Sequence, residues 1–538
     1  MVFKSRLEKI FIPEITMHEE MFKRCRMYGK RKAVVCGATG HTIHFNEVEP
    51  LSKNVASGLV KLGVNKGSII AFLLPNMPEY ILCLLGTSAC GGIATTINPA
   101  YTPTEVSNQL VNSEAVIIIT VKGLEKTVNA ALRQKQTNIK HKIILGGEAE
   151  GYIPFSKLLT DDGTAYPYNM EFDVKEDLVL IPYSSGTTGL PKGVMLTHYN
   201  IVANQYQSSH EDFVDPSYNR FHETLHETQL CIIPMFHAYG QLIILFGGMR
   251  IGCLVVSLPK FEPELFLSAI EKYKVSILSI VPPLVVFMAK SPLVKNYDLS
   301  SIKRVGSGAA PLSAEVVQEF TSRVNVENLP QGYGMTEASP GITTSMPDKY
   351  VAGSSGVLIP ATEIKIVDIS SGKECGIRER GEIWIRGPQI MKGYFKNPKA
   401  TAETIDKDGW MHSGDVGYFD EEEHIFVVDR IKELIKYKAF QVAPAELEAL
   451  LLTYKGIADA AVVGIPDKNA GEVPRAYLVK KEGFEHINAK DVESYVIENA
   501  ANFKHLRGGV EFLEAIPKTA SGKILRKELV KRHVKSRM

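Results

Sequence analysis

The sequence predicts an α/β fold, with a large N-terminal α/β domain of several parts, one of them β-rich, and a smaller α+β unit behind it. Three observations carry this. Short apolar runs alternate with helical spacing as far as residue 281, β-like runs crowd together from about Glu363, and a separate helix signal follows Asp429. A chain of 538 residues is also longer than one hydrophobic core organises, so about two to four domains are expected.

Residues 47–62 carry apolar side chains at helical spacing and stop at Gly63. Residues 69–74 read as a buried strand ended by Pro75, and 79–85 are helical again. The longest uncharged stretch, 81–100, is diluted by Gly86, Gly91, Gly92 and four hydroxyl residues. It reads as a buried helix, a turn and the start of a strand, not a membrane span. Strand-like runs at 116–120 and 143–145 bracket a polar helix, and runs at 229–233, 253–257 and 276–281 resume the alternation, the last ended by Pro282 and Pro283. Residues 364–367 and 382–386 open the β-rich part, and 444–452 form a helix in the final unit.

Composition excludes several function classes. The chain is 45% hydrophobic and 22% charged, as an ordinary globular protein is, and its net charge of +1 gives no reason to expect nucleic acid or an anionic membrane as partner. Its seven cysteines are scattered, odd in number and lack a C-x-x-C pair, which suggests neither a disulfide framework nor a zinc site and fits a reducing compartment. The opening MVFKSRLEKIF has no apolar core of a signal peptide.

The most informative segment is 183–198, YSSGTTGLPKGVMLTH. Gly186, Gly189 and Gly193 let the backbone turn tightly and approach an anion, Ser184, Ser185, Thr187 and Thr188 offer donors, and Lys192 supplies a point charge. It reads as a phosphate-gripping loop, or else as a solvated hairpin loop. The short apolar runs on either side favour a strand–loop–strand setting, and the G-x-x-x-x-G-K-[ST] spacing of a P-loop is absent. Four further segments carry chemistry. In 331–337, QGYGMTE, Tyr333 offers a stacking face, Thr336 a hydroxyl for a phosphate oxygen and Glu337 a carboxylate suited to Mg²⁺. In 409–417, GWMHSGDVG, Asp415 sits in a Gly-flanked turn before a strand, where it could accept both hydroxyls of a ribose. In 428–446, VDRIKELIKYKAFQVAPAE, cations crowd one face of a short element, and in 517–529 Lys523 follows a tight Ser-Gly turn. Taken singly, each also suits a turn, a cap or a solvated basic strip.

In this order, with PMFHAYG (234–240), GSGAAPL (306–312) and GEIWIRGPQIMKGY (381–394), these segments resemble the adenylate-forming family that includes acyl-CoA synthetases, plant-type 4-coumarate:CoA ligases and beetle luciferases. The resemblance spans nearly the whole chain. It implies an N-terminal domain, 1–430, that binds ATP and the acyl group, a mobile C-terminal cap, 431–538, and a hinge at Lys432. The loop 184–192 would hold the β- and γ-phosphates, while Gly308, Ala309, Ala310 and Pro311 would line adenine with Tyr333 stacked against it. Thr336 would touch the α-phosphate, Glu337 would position Mg²⁺, Asp415 and Arg430 would hold the ribose, and Lys523 would bind the substrate carboxylate and the α-phosphate. His237 and Tyr239, with Gly308, Gly332, Gly334, Pro340 and Gly341, would line a roomy acyl pocket, His237 forming the wall toward the entering thiol.

A carboxylate would displace pyrophosphate from ATP, and CoA would then displace AMP, with no side-chain nucleophile. Cap rotation would replace Lys523 by the segment of Lys436, Ala439 and Gln441 for the CoA step. Ala439 stands where the family usually has glycine, which points to a CoA step slower than adenylation. An acyl-CoA ligase acting on a medium- or long-chain fatty acid or an arylpropenoic acid is the leading expectation. A luciferase-type oxygenase and a non-catalytic acyl- or nucleotide-binding relative are the alternatives. The terminal Ser536, Arg537 and Met538 keep the small, basic, apolar order of the S-K-L address, which points to a peroxisomal import receptor as partner and the cytoplasm as the alternative location.

Overall fold

The computed structural model describes residues 1–7, 10–184, 191–210, 227–308, 314–346, 350–438, 440–467, 469–519 and 522–535. Its first sheet is built on the parallel strands Ile69–Leu73, Ile93–Thr96, Ile117–Val121 and His141–Leu145. Ile70 and Phe72 face one buried cluster while Ile69, Ala71 and Leu73 face another. Burial on both faces is why this strand reads as a continuous apolar run instead of an alternating one. The expected helix at 79–85 runs Tyr80–Ala89, with its glycine at a helix crossing. A Cβ on Gly86 would lie 2.5 Å from Val55 Cγ1 in the helix Phe45–Lys61, so the two helices approach closely only because that side chain is absent.

At the edge of this sheet Tyr183–Ser184 pairs antiparallel with Lys192–Thr197, giving the expected strand–loop–strand setting. Gly393–Tyr394, some two hundred positions later in sequence, pairs with the other edge of Lys192–Thr197. A second sheet carries Lys32–Cys36, Leu254–Ser257, Thr228–Cys231, Ile277–Ile280 and Arg304–Ser307 in parallel. The β-rich part is an antiparallel sheet of Val2–Lys4, Glu363–Val367, Gly381–Arg386, Met411–Phe419 and Ile425–Arg430.

The C-terminal subdomain has its own core, from Ile435 to Leu529, over strands Ile457–Asp467 and Gly471–Lys480 and the helices Pro444–Leu452, Ala489–Asn499 and Arg526–Lys535. It rests on the larger domain through specific contacts. The Ala445 N–H donates to Asp429 Oδ2 at 2.8 Å, and Gly522 comes so close to Val281 and Pro283 that a Cβ would lie 3.2 Å from Pro283 Cδ. Among the described residues no helix is long and apolar enough to cross a membrane, and all seven cysteines are free.

Candidate active site

Asp415 anchors the centre of the cleft. It lies inside the strand Met411–Phe419, which corrects the expectation of a turn before a strand, and stands directly opposite Arg430 in Ile425–Arg430. Directly opposed residues share a face of the sheet, so Arg430 Nε reaches Asp415 Oδ1 at 3.3 Å. The Tyr333 hydroxyl donates to Asp415 Oδ2 at 2.6 Å from the short strand Tyr333–Gly334. Asp415 is 6% exposed; burial raises its pKa and Arg430 works against that rise. Burial, then Asp415, push the Tyr333 hydroxyl well above its ordinary range, so it stays a donor.

Glu337, 5% exposed, sits in the 3₁₀ turn Thr336–Ala338 and accepts from the Tyr394 hydroxyl at 2.9 Å on Oε1. Lys192 Nζ lies over the Tyr394 ring, 4.6 Å from its centroid. Lys523 reaches this cluster from the C-terminal subdomain. Its turn closes by a Thr519 N–H to Lys523 carbonyl bond of 2.8 Å, with Gly522 at φ +82°, where glycine is needed. Burial, then Arg430, lower the Lys523 pKa, while Asp415 and Glu337 favour its charged form. The site therefore gathers cations and carboxylates around space suited to a polyanion.

The Lys523 cation also bears on His237, whose pKa falls to about 4, through burial first and Lys523 second. The Tyr239 N–H donates to His237 Nδ1 at 3.2 Å, leaving the proton of the neutral ring on Nε2. A π-helix, Tyr239–Gly247, starts two residues after His237. Such segments recur at functional sites, and periodicity of 3.6 or 2 does not reveal them. His237 and Thr336 line a small pocket, with Asn98, Tyr101, Gln109 and Tyr183 among its other walls. Of the residues expected around the acyl group, His237 alone lines that cavity. Gly308 adjoins Gly332 across the Ser307 to Gln331 bridge, and Gly334 pairs with Gly341, its position so close to Pro340 that a Cβ would lie 2.4 Å from the proline carbonyl oxygen.

Other expected positions fall elsewhere. Lys436 and Gln441 are exposed on the hairpin Ile435–Tyr437 and Phe440–Val442, where the Lys436 N–H donates to Glu472 Oε2 at 2.8 Å. The basic segment 428–446 is thus not one cationic face: Arg430 faces the cleft, while Lys432, Lys436 and Lys438 are exposed. Ser185, Gly186, Thr187, Thr188, Gly189, Ala309, Ala310, Pro311, Ala439 and the Ser536, Arg537, Met538 tail lie outside the described residues. Lys438 has φ +52°, in the left-handed region. Sequence reasoning passed over Tyr394 and Ser279, the latter interacting with the Tyr239 side chain. Tyr394 stood only as the last letter of a longer motif, and nothing local marks either residue as part of a site.

This fold and cleft define an adenylate-forming enzyme. The chain belongs to the AMP-binding enzyme family, whose profile matches residues 21–395, with the AMP-binding enzyme C-terminal domain matching 446–523. It is an acid–thiol ligase of the AMP-forming class, which activates a carboxylic acid with ATP as an acyl adenylate and transfers the acyl group to CoA. It is 42% identical to 4-coumarate–CoA ligase 5 of Oryza sativa subsp. japonica, and 43% identical to 4-coumarate–CoA ligase 2 of Petroselinum crispum, each alignment covering 98% of this chain and 96% of the relative. The anthranilate CoA ligase AuaEII, solved with anthranoyl-AMP, shares the fold at a TM-score of 0.86 and 23% identity, covering 98% of this chain and 99% of that one. ATP-bound MatB from Rhodopseudomonas palustris does so at 0.83 and 23%, covering 96% and 99%.

Proposed function

We propose that the acid is an arylpropenoic acid of the 4-coumarate kind, activated in the arrangement described above. The presence of Lys523 beside Asp415, Glu337 and His237 carries the mechanistic part, because it brings a cation to the point where two anions must meet. The end-to-end similarity to 4-coumarate–CoA ligases supports the substrate class over a fatty acid. The panel that tests it measures acid-dependent pyrophosphate release with 4-coumarate, its ring-substituted analogues, and medium- and long-chain fatty acids. Arylpropenoates are expected to give the highest kcat/KM, and a fatty acid that outruns all of them removes the assignment.

In this reading Asp415 and Arg430 hold the ribose, Tyr333 and the 308–311 segment hold adenine, and Lys192 with the 184–189 loop holds the β- and γ-phosphates. Thr336 meets the α-phosphate. Glu337 suits Mg²⁺, which is held through one or two carboxylates plus substrate phosphates, and Mg²⁺ there would neutralise charge on those phosphates. Lys523 orients the substrate carboxylate, one oxygen of which forms a bond to the α-phosphorus as the bond to pyrophosphate breaks. His237, neutral at working pH, walls off the acyl group from the cavity behind it, through which the thiol would reach the acyl carbon and release AMP.

For that second step the C-terminal subdomain, 431–538, would turn about Lys432, parting Ala445 from Asp429 and bringing Lys436, Ala439 and Gln441 to the cleft. Ala439 would then slow the CoA step relative to adenylation. Ser536, Arg537 and Met538 would address the enzyme to peroxisomes. A fluorescent reporter carrying the last dozen residues should become punctate, and diffuse cytosolic signal ends that part of the reading.

A further inference from the structure

The strand around Gly393–Tyr394 ties two parts of the phosphate machinery together. Its backbone is fixed on one side to the strand that leaves the phosphate loop: the Lys392 N–H donates to the Met195 carbonyl at 3.0 Å and the Phe395 N–H to the Gly193 carbonyl at 2.8 Å. On the other side the Met391 N–H donates to the Glu337 carbonyl at 2.9 Å. Tyr394, 8% exposed, repeats the link with its side chain, its hydroxyl on Glu337 Oε1 and its ring under Lys192 Nζ.

We propose that Tyr394 is a positioning residue for adenylation: its hydroxyl fixes Glu337 with Oε2 left for the metal of Mg·ATP, and its ring holds Lys192 for the terminal phosphates. The inference rests on the metal role read for Glu337. The physical case is one of orientation. A carboxylate accepting a hydrogen bond on one oxygen loses free rotation, and removing such an outer partner typically costs about 10- to 100-fold in metal affinity or activity. The aromatic face attracts the ammonium of Lys192 without neutralising it, so the cation stays available to phosphate. Because both contacts come from one ring, the phosphate-loop lysine and the metal carboxylate are set by the same element.

Two substitutions separate the contacts. Tyr394→Phe deletes the hydroxyl and keeps the ring; Tyr394→Leu deletes both. Tyr394→Phe is expected to raise the Mg²⁺ concentration for half-maximal adenylation about 10- to 100-fold, and to weaken Mn²⁺ binding to the enzyme–ATP complex, read by electron paramagnetic resonance, by a similar factor. Thioester formation from a supplied acyl adenylate and CoA uses no pyrophosphate-bound metal and should change by less than about twofold, a split that general loosening of the fold would not produce. Tyr394→Leu should add a rise in the KM for ATP through Lys192. A folded Tyr394→Phe enzyme with unshifted Mg²⁺ and Mn²⁺ midpoints, or with equal losses in both half-reactions, overturns the proposal. Glu337→Gln serves as the reference: if it shifts the Mg²⁺ midpoint and Tyr394→Phe does not, the metal reading stands and the positioning role falls; if Glu337→Gln shifts nothing, both fall.

Discussion

Lys523→Ala is expected to slow acid-dependent adenylate formation by about 10²- to 10³-fold while leaving the conversion of a supplied acyl adenylate and CoA to thioester at a substantial rate. The asymmetry follows from chemistry. An anionic carboxylate must approach an anionic phosphate only in the first half-reaction, and Lys523 is the cation that the C-terminal subdomain brings within reach of the charges on Asp415 and Glu337. Single-turnover pyrophosphate release and thioester formation, measured separately, give the two rates. Equal loss in a folded variant would sink the assignment.

The pH dependence supplies a second handle on the same residue. Burial and Arg430 lower the Lys523 pKa from its ordinary 10.5, so the cation is lost at a lower pH than in a free lysine. Adenylation should therefore show an alkaline limb below pH 10.5 that thioester formation from supplied adenylate does not share. His237, at about 4, stays neutral throughout that range and contributes nothing to the limb.

Asp415→Ala should weaken ATP binding by about 10²- to 10⁴-fold, since hydrogen bonds to a charged group are worth roughly 1.5–3 kcal/mol each and two ribose contacts are removed together. The same change strips the Tyr333 hydroxyl and Arg430 of their shared partner, so adenine stacking should suffer as well. Unlike Lys523→Ala, this variant should damage both half-reactions, because the ribose remains in the acyl adenylate. Calorimetric titration with ATP and with a non-hydrolysable acyl-adenylate analogue reads the loss. Unchanged affinity for both in folded protein would remove Asp415 from the ribose site.

Much of the architecture is legible from local pattern. The buried strand Ile69–Leu73, the helix Pro444–Leu452 and the strand–loop–strand at Tyr183 all follow from apolar runs, proline stops and glycine punctuation, which act over a few residues. The chemistry of the motifs is equally local, since a Gly/Ser/Thr loop with one lysine suits phosphate wherever it sits. Which groups meet is another matter. Tyr333 and Asp415 are 82 positions apart, and Glu337 and Tyr394 are 57 apart. Nothing in either neighbourhood marks the pairing, and Tyr394 carries no sign of a role until its strand docks on Lys192–Thr197.

The sequence by itself determined the element types, the β-rich and C-terminal divisions of the fold class and the residue set able to handle ATP. Periodicity and turn chemistry are properties of a short stretch of chain. Only the tertiary structure decided that Asp415 lies within a strand opposite Arg430, that Lys523 feels the charges of Asp415 and Glu337 while Lys436 stands exposed on a hairpin, and that Tyr394 joins Lys192 to Glu337. The shifted acidities of Lys523, His237 and Asp415 belong with these, because a side chain loses its water and gains distant charges only when separate elements pack around it.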